Sequence, residues 1–190
     1  MRILGIDPGS RITGFGIVEV SKNQQKYITS GCIRLKSTCP HENLNQIFIG
    51  ISKIIAEYSP HDAAIEQIFM HNNPSSAIKL GQARGAAIVA MTQHGLSVAQ
   101  YSARQIKQSV VGYGAAKKEQ IQQMVCRLLN LSGSPQADAA DALAVAICHA
   151  NSREGIGALL NIKGLRHGRL RDDRAFTRNF SRKATAKLID

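Results

Sequence analysis

The sequence predicts an α/β domain: a mixed five-stranded sheet, made of a three-strand antiparallel meander plus two parallel strands, flanked by helices. Three observations predict it. Three apolar or alternating runs follow one another within the first 35 residues, joined by short polar connections as hairpins require. Apolar residues then recur at three- and four-residue steps over 44–58, the period of an amphipathic helix. From there short apolar runs and helical stretches alternate to about residue 150.

The first strand is Ile3-Leu4-Gly5-Ile6, which leads straight to Asp7 and is ended by Pro8 and Gly9. A bare carboxylate at the inner end of a buried strand is costly unless it is paired or holds a metal, although an Asx-type turn with Pro8-Gly9 also accounts for it. Residues 13–20 form the second strand. Its Gly14-Phe15-Gly16 is too weak a signal for a dinucleotide site and reads as close backbone approach beside the acid. Residues 26–35, with Tyr27, Cys32 and Ile33, form the third. Leu44, Ile47, Phe48, Ile51, Ile54, Ile55 and Tyr58 mark the buried face of the first helix.

Residues 63–69 make a fourth strand whose apolar run is interrupted by Glu66. A second helix spans 74–94, with Gly95 as its stop. A fifth strand covers 96–101, and helices follow over about 103–110 and 117–130. The last strong helix runs from Pro135, placed in its first turn, to about Ala150. The domain so described occupies residues 1–152. Residues 153–190 form a basic C-terminal tail, mobile or a short basic helix.

The net charge is +11 over 190 residues. Residues 1–150 carry 14 Lys and Arg against 9 Asp and Glu, and residues 151–190 carry 10 against 4, so both parts are basic. That balance points to a polyanion such as nucleic acid, with a merely soluble basic protein as the plainer reading. No apolar run is long enough to span a bilayer and the N-terminus lacks a signal-peptide pattern, so no membrane is expected. Cys32, Cys39, Cys126 and Cys148 form no C-x-x-C pair; free thiols and a reducing, cytoplasmic setting follow.

Four acids stand in apolar surroundings. Asp138 and Asp141 lie three apart in a helix of Ala, Leu, Val and Ile, so their like charges share one face with nothing basic in that helix to relieve them. Glu66 breaks its strand as Asp7 ends the first. Oxygen-only donors without His or Cys favour a hard cation, Mg²⁺ with Mn²⁺ as a substitute, over zinc. Two such ions per subunit, about 3.5–4 Å apart, clamp the attacking and leaving oxygens of an in-line displacement. On a basic protein this chemistry is phosphodiester hydrolysis.

Four segments in order carry a resemblance: residues 5–14 (Gly-Ile-Asp-Pro-Gly-Ser-Arg-Ile-Thr-Gly), 64–70 (Ala-Ile-Glu-Gln-Ile-Phe-Met), 79–85 (Lys-Leu-Gly-Gln-Ala-Arg-Gly) and 135–143 (Pro-Gln-Ala-Asp-Ala-Ala-Asp-Ala-Leu). Together they resemble the RuvC family of bacterial Holliday-junction resolvases across about residues 1–150. The resemblance implies a ribonuclease H-like fold, a homodimer, Mg²⁺ dependence, paired symmetric nicks in four-way junction DNA, and cooperation with the RuvA and RuvB branch-migration complex. It implies catalytic, metal-binding roles for Asp7, Glu66, Asp138 and Asp141; some members carry His in place of Asp138. Phe69 matches the aromatic that engages unpaired bases, with core packing as its plainer reading. Lys107 and Lys118 match positions that contact DNA near the cut. Arg84 and Arg104 would add phosphate contacts, though a solvated helix face explains them as well.

Two other functions fit parts of the sequence. An actin- or sugar-kinase-like ATPase also opens on an apolar strand, Asp and Gly, but needs two such domains, and no P-loop is present. A noncatalytic junction-binding protein would have no reason to keep all four acids.

Overall fold

The computed structural model describes residues 1–22, 24–68 and 74–162, with residues 154–162 as backbone only. The chain divides into one unit of Met1–Ile156 and another of Gly157–Asp190. All that follows concerns the first, apart from the backbone of the last helix, which continues to Ile162.

Strands β1 (Arg2–Asp7), β2 (Ile12–Ser21) and β3 (Gln24–Arg34) form the expected meander. Helix α1 (Pro40–Tyr58) carries the chain back, and β4 (Asp62–Glu66) pairs parallel to β1. Helix α2 (Pro74–Gln93) leads to β5 (Val98–Tyr101), which is parallel to β4. The sheet order is β3-β2-β1-β4-β5. Helices α3 (Ala103–Val111), α4 (Lys118–Leu128) and α5 (Ala137–Ile162) complete the described chain. The five-stranded mixed sheet expected from the sequence is present.

Each face of the sheet has its own core. Leu4, Ile6 and Ile17 pack against Ile47, Ile51, Ile54 and Ile55 of α1 and Ala83, Ala87 and Met91 of α2. Ile3, Val18 and Ala64 pack on the other face with Leu143 and Ile147 of α5, helped by Ile106 of α3 and Ile121 and Val125 of α4. Successive strand residues point to opposite faces, which is why adjacent Ile3 and Leu4 enter different cores. Burying each such side chain stabilises the fold by roughly 1.5–3 kcal/mol.

Most boundaries shift by a residue or two, and three of the differences bear on the site. β4 ends at Glu66, not Phe69; Gln67 still donates its N–H to the Tyr101 carbonyl at 2.8 Å, and residues 69–73 lie outside the described residues. Helix α5 starts at Ala137, because the Gln136 carbonyl accepts its first bond from the Ala140 N–H at 2.8 Å; Pro135 stands before the helix, not in its first turn. The same helix runs on past Ala150 to Ile162. Side chains just beyond Ala150 tie that turn down: Asn151 accepts from Gln25 and donates to Ser109, and Arg153 pairs with Asp62. Residues 163–190, the rest of the basic tail, lie outside the described residues.

Candidate active site

Strand periodicity aims the two strand acids. Ile3 and Ala64 face the α5 core, so Asp7, four residues after Ile3, and Glu66, two residues after Ala64, project from that same face. The parallel register pairs Ile6 with Ile65, which sets Asp7 and Glu66 side by side at the C-terminal ends of the two strands. A slip of one residue would turn either acid to the wrong face.

Glycines let the helix acids come down onto them. Gly14 is paired with Asp7 across β1 and β2. A Cβ at Gly14 would stand 2.0 Å from the Asp138 carbonyl oxygen, and one at Gly5 would stand 2.2 Å from the Ala142 carbonyl oxygen. Leu143 likewise packs against Gly16. Helix α5 therefore rests on bare strand backbone, and Asp138 and Asp141, one turn apart, reach the end of β1. The close approach expected of Gly14 and Gly16 is what the structure contains.

The charges interact as a group. Burial first, then the Glu66, Asp141 and Asp138 carboxylates, push the Asp7 carboxyl from 3.8 up to about 8; Lys118 pulls it the other way. Burial and then Asp141 raise Glu66, while Lys107 and Lys118 oppose the rise. A carboxyl held this high at neutral pH is short of positive charge. The supply in this structure is Lys118, the first residue of α4, whose Nζ lies 2.8 Å from Asp141 Oδ2. That bond raises the Lys118 ammonium.

A cavity of about 200 Å³ opens beside this pair, lined by Glu66, Lys107, Lys118 and Asp141 over an apolar floor of Ile106 and Ile121. Among the described residues no three acidic, histidine or cysteine side chains form a ready-made metal cage. The donor chemistry still fits a hard divalent ion: four carboxylates, mutually repelling, with an ammonium where positive charge is needed. Asp7, Glu66, Asp138 and Asp141 are brought to one end of the sheet, and Lys107 and Lys118 join them.

The remaining site residues are placed elsewhere. Arg84 of α2 turns inward: its Nε donates to the Glu66 carbonyl oxygen at 3.2 Å and its Nη2 to Gln100 Oε1 at 2.6 Å. Arg104 lies on the exposed side of α3 against Gly114. Phe69 lies outside the described residues. Two partnerships had no signal in the sequence. Gln100, which holds Arg84 over Glu66, is an ordinary alternating polar residue of β5. Asp62, at the start of β4, is mostly buried and is engaged by Arg153, with His149 Nε2 3.6 Å away; His149 also bonds the Tyr101 hydroxyl at 2.8 Å.

Comparison with known proteins agrees with this geometry. The family model for crossover junction endodeoxyribonuclease RuvC matches residues 3–149. The protein of that name from Pseudoalteromonas atlantica is 58% identical over 170 residues, covering 89% of this chain and 98% of its own. Its counterpart from Psychromonas ingrahamii is 62% identical over 157 residues, covering 83% and 91%. Among solved structures, T. thermophilus RuvC in complex with Holliday junction substrate superposes with a TM-score of 0.76 at 32% identity, over 82% of this chain and 96% of that one. With its ribonuclease H-like sheet and its acids gathered at one end, the chain belongs to the RuvC family of crossover junction endodeoxyribonucleases.

Proposed function

We propose that Asp7, Glu66, Asp138 and Asp141 hydrolyse one phosphodiester linkage per chain in a four-way DNA junction, the Holliday-junction resolution carried out by this family in recombination and repair. The observation that carries this reading is the Asp7 carboxyl, pushed to about 8 by burial and by the other three acids of the site. A structural acid gains nothing from such company. A ligand to a divalent cation does.

Divalent ions bound there, which we take to be two Mg²⁺ with Mn²⁺ as substitute, supply Lewis acidity to a phosphate oxygen and lower the pKa of a water for attack. Asp7, Glu66, Asp138 and Asp141 would hold the cation, with Asp7 deprotonated as a ligand, and Lys118, which pairs with Asp141 in its absence, would be free to meet phosphate. Lys107, on the same cavity, adds a second positive charge for the substrate backbone. Arg84 fixes the strand end that presents Glu66. Water adds to phosphorus, the bond to the 3′ oxygen breaks, and that oxygen takes up a proton. A 5′-phosphate and a 3′-hydroxyl remain.

Two strands must be nicked, so two chains are required, and a two-fold substrate suits a two-fold protein. Helix α2 offers a surface for the partner: Ala83, Ala87, Ala90 and Met91 are buried against the sheet, whereas Ile78 and Val89 are 63% and 55% exposed. Gly81 and Gly85 of the same helix would meet nothing within 4 Å if given a Cβ. We assign Phe69 to unpaired bases at the junction centre, and RuvA and RuvB to the delivery of the junction. Among the described residues no helix is long and apolar enough to cross a membrane, and with four free cysteines we place the protein in the reducing cytoplasm. The test is incubation with a synthetic mobile junction and with a linear duplex, each with and without Mg²⁺. Symmetric nicks in the junction alone, and only with Mg²⁺, are expected; equal cutting of duplex, or cutting in a chelator, would overturn the reading.

A further inference from the structure

The end of the sheet that holds the acids has two sides. The cavity of Lys107 and Lys118 opens on the side of α3, α4 and α5. On the other side, over the core built by α1 and α2, lies an open cleft of about 600 Å³. Its polar lining includes Ser10 and Arg11 from the turn after Asp7, Ser37 and Thr38 from the stretch before α1, and Lys79 and Gln82 from α2. Leu44, Ile47 and Ala83 form its floor.

Three features mark this cleft as a receptor for a polyanion. It contains two cations and no Asp or Glu. Arg11 and Lys79 are both exposed, and neither forms an ion pair among the described residues. One acid, Glu42, touches the rim, where it accepts from the Ser37 hydroxyl, and the two cations outnumber it. The walls are also held in place. The Leu35 N–H donates to the Arg11 carbonyl at 2.9 Å, fixing the turn to the end of β3. Asn43 grips the Ser37 backbone twice, accepting from its N–H at 3.1 Å and donating to its carbonyl at 2.8 Å. Thr13 bonds across the same turn to the Gly9 carbonyl at 3.3 Å. A groove that is already ordered loses little entropy on binding.

Arg11 follows Asp7 by four residues, so the cleft begins where the catalytic strand ends. A strand lying across the end of the sheet would meet Lys107 and Lys118 on one side of the acids and Arg11 and Lys79 on the other. We infer that this cleft binds the sugar-phosphate backbone of junction DNA on the side of the cut away from Lys107 and Lys118, with Arg11 and Lys79 each neutralising one phosphate. The Gln82 amide and the serine and threonine hydroxyls supply uncharged donors to the same oxygens. The inference rests on the resolvase reading and extends its binding surface to Arg11 and Lys79, to which the sequence reading gave no role in DNA binding.

The test compares wild type with Arg11→Gln/Lys79→Gln on a synthetic junction, in Ca²⁺ to prevent cutting, over a range of salt concentrations. Each phosphate contact adds about 0.9 to the slope of log K against log salt, so loss of two flattens the slope by about 1.8. Junctions carrying single neutral methylphosphonates near the cut then locate the contacts: wild type loses affinity at positions on one side of the cut, and the double variant is indifferent there. Arg11→Lys, which keeps the charge, retains the wild-type slope. A double variant that melts like wild type but keeps its slope, or loses less than half the expected change, would overturn the inference. Wild-type cutting of the junction in Mg²⁺ is the parallel control: its failure sinks the resolvase reading, whereas an unchanged slope with normal cutting sinks only this cleft.

Discussion

Replacing Gly14 with Ala adds one methyl group and tests how the four acids are assembled. The new Cβ would stand 2.0 Å from the Asp138 carbonyl oxygen, 2.5 Å from its carbon and 3.3 Å from the Ala139 nitrogen. Carbon and oxygen do not pack closer than about 3 Å, with the favourable range somewhat beyond that. Helix α5 must therefore lift from the sheet by on the order of 1 Å at the turn that carries Asp138. Gly14 is not among the positive-φ residues, so the cost is steric and not conformational. Overpacking of this kind costs about 1–3 kcal/mol of stability. The functional cost is larger in proportion, because a misplacement of about 1 Å slows a reaction about a hundredfold. Single-turnover cleavage of a synthetic junction in Mg²⁺, with affinity and thermal melting measured alongside, separates the two. The expected outcome is a folded protein that binds the junction near wild-type strength and cuts it about a hundred times more slowly. Gly133→Ala, whose Cβ meets nothing within 4 Å, is the control and leaves both rate and melting unchanged. Wild-type cleavage by Gly14→Ala would refute the claim that backbone contact between α5 and β2 sets the acids' positions.

Other substitutions test the surrounding groups. Arg84→Gln removes the guanidinium from the Glu66 carbonyl and Gln100; loss of a charged hydrogen bond is worth about 1.5–3 kcal/mol, so cleavage should fall about tenfold or more with junction affinity little changed. A matching fall in affinity would make Arg84 a phosphate contact instead. Lys107→Ala and Lys118→Ala should weaken junction binding and flatten its salt dependence by about one contact each, and an unchanged slope would remove them from the DNA surface. Thermal melting between pH 7 and 9 tests the charge of the site. Asp7 titrates at about 8 when folded against 3.8 in its ordinary state, so the folded protein binds the extra proton over that interval and loses stability as pH rises through 8. Glu66 shifts in the same direction, and the lowered His149 acts only below its ordinary value of 6.5. The melting temperature should fall across this range in a chelator and hold in saturating Mg²⁺; equal curves with and without the ion would contradict the cation site.

Much of this site was legible in the sequence because its signals are local. Acids inside apolar runs are costly, and Asp7, Glu66, Asp138 and Asp141 stood out on that ground before any fold was known. The three-residue spacing put Asp138 and Asp141 on one helix face, and the bare glycines in β2 marked a close backbone approach beside Asp7, which the structure assigns to α5. What escaped depends on residues far apart in the chain. Nothing in α4 announces that Lys118 will reach Asp141, since the pairing exists only once α4 packs beside α5. Arg84 looks like a surface cation until α2 lies over β4 and β5 and turns it toward Glu66. Asp62 looks solvated until α5 runs past Ala150 and delivers His149 and Arg153. The end of α5 escaped for the same reason: its last described side chains are anchored by β3, α3 and β4, not by a local stop signal.

The central claim is that these carboxylates act together as ligands for divalent ions and not as contacts to DNA. Asp138→Asn removes one negative charge and one strong ligand while keeping shape and hydrogen-bonding capacity. Measured on one synthetic junction, its affinity should equal or exceed that of wild type, and its single-turnover cleavage in Mg²⁺ should be abolished. Cleavage at the wild-type rate, or an affinity that falls in step with cleavage, would contradict the account.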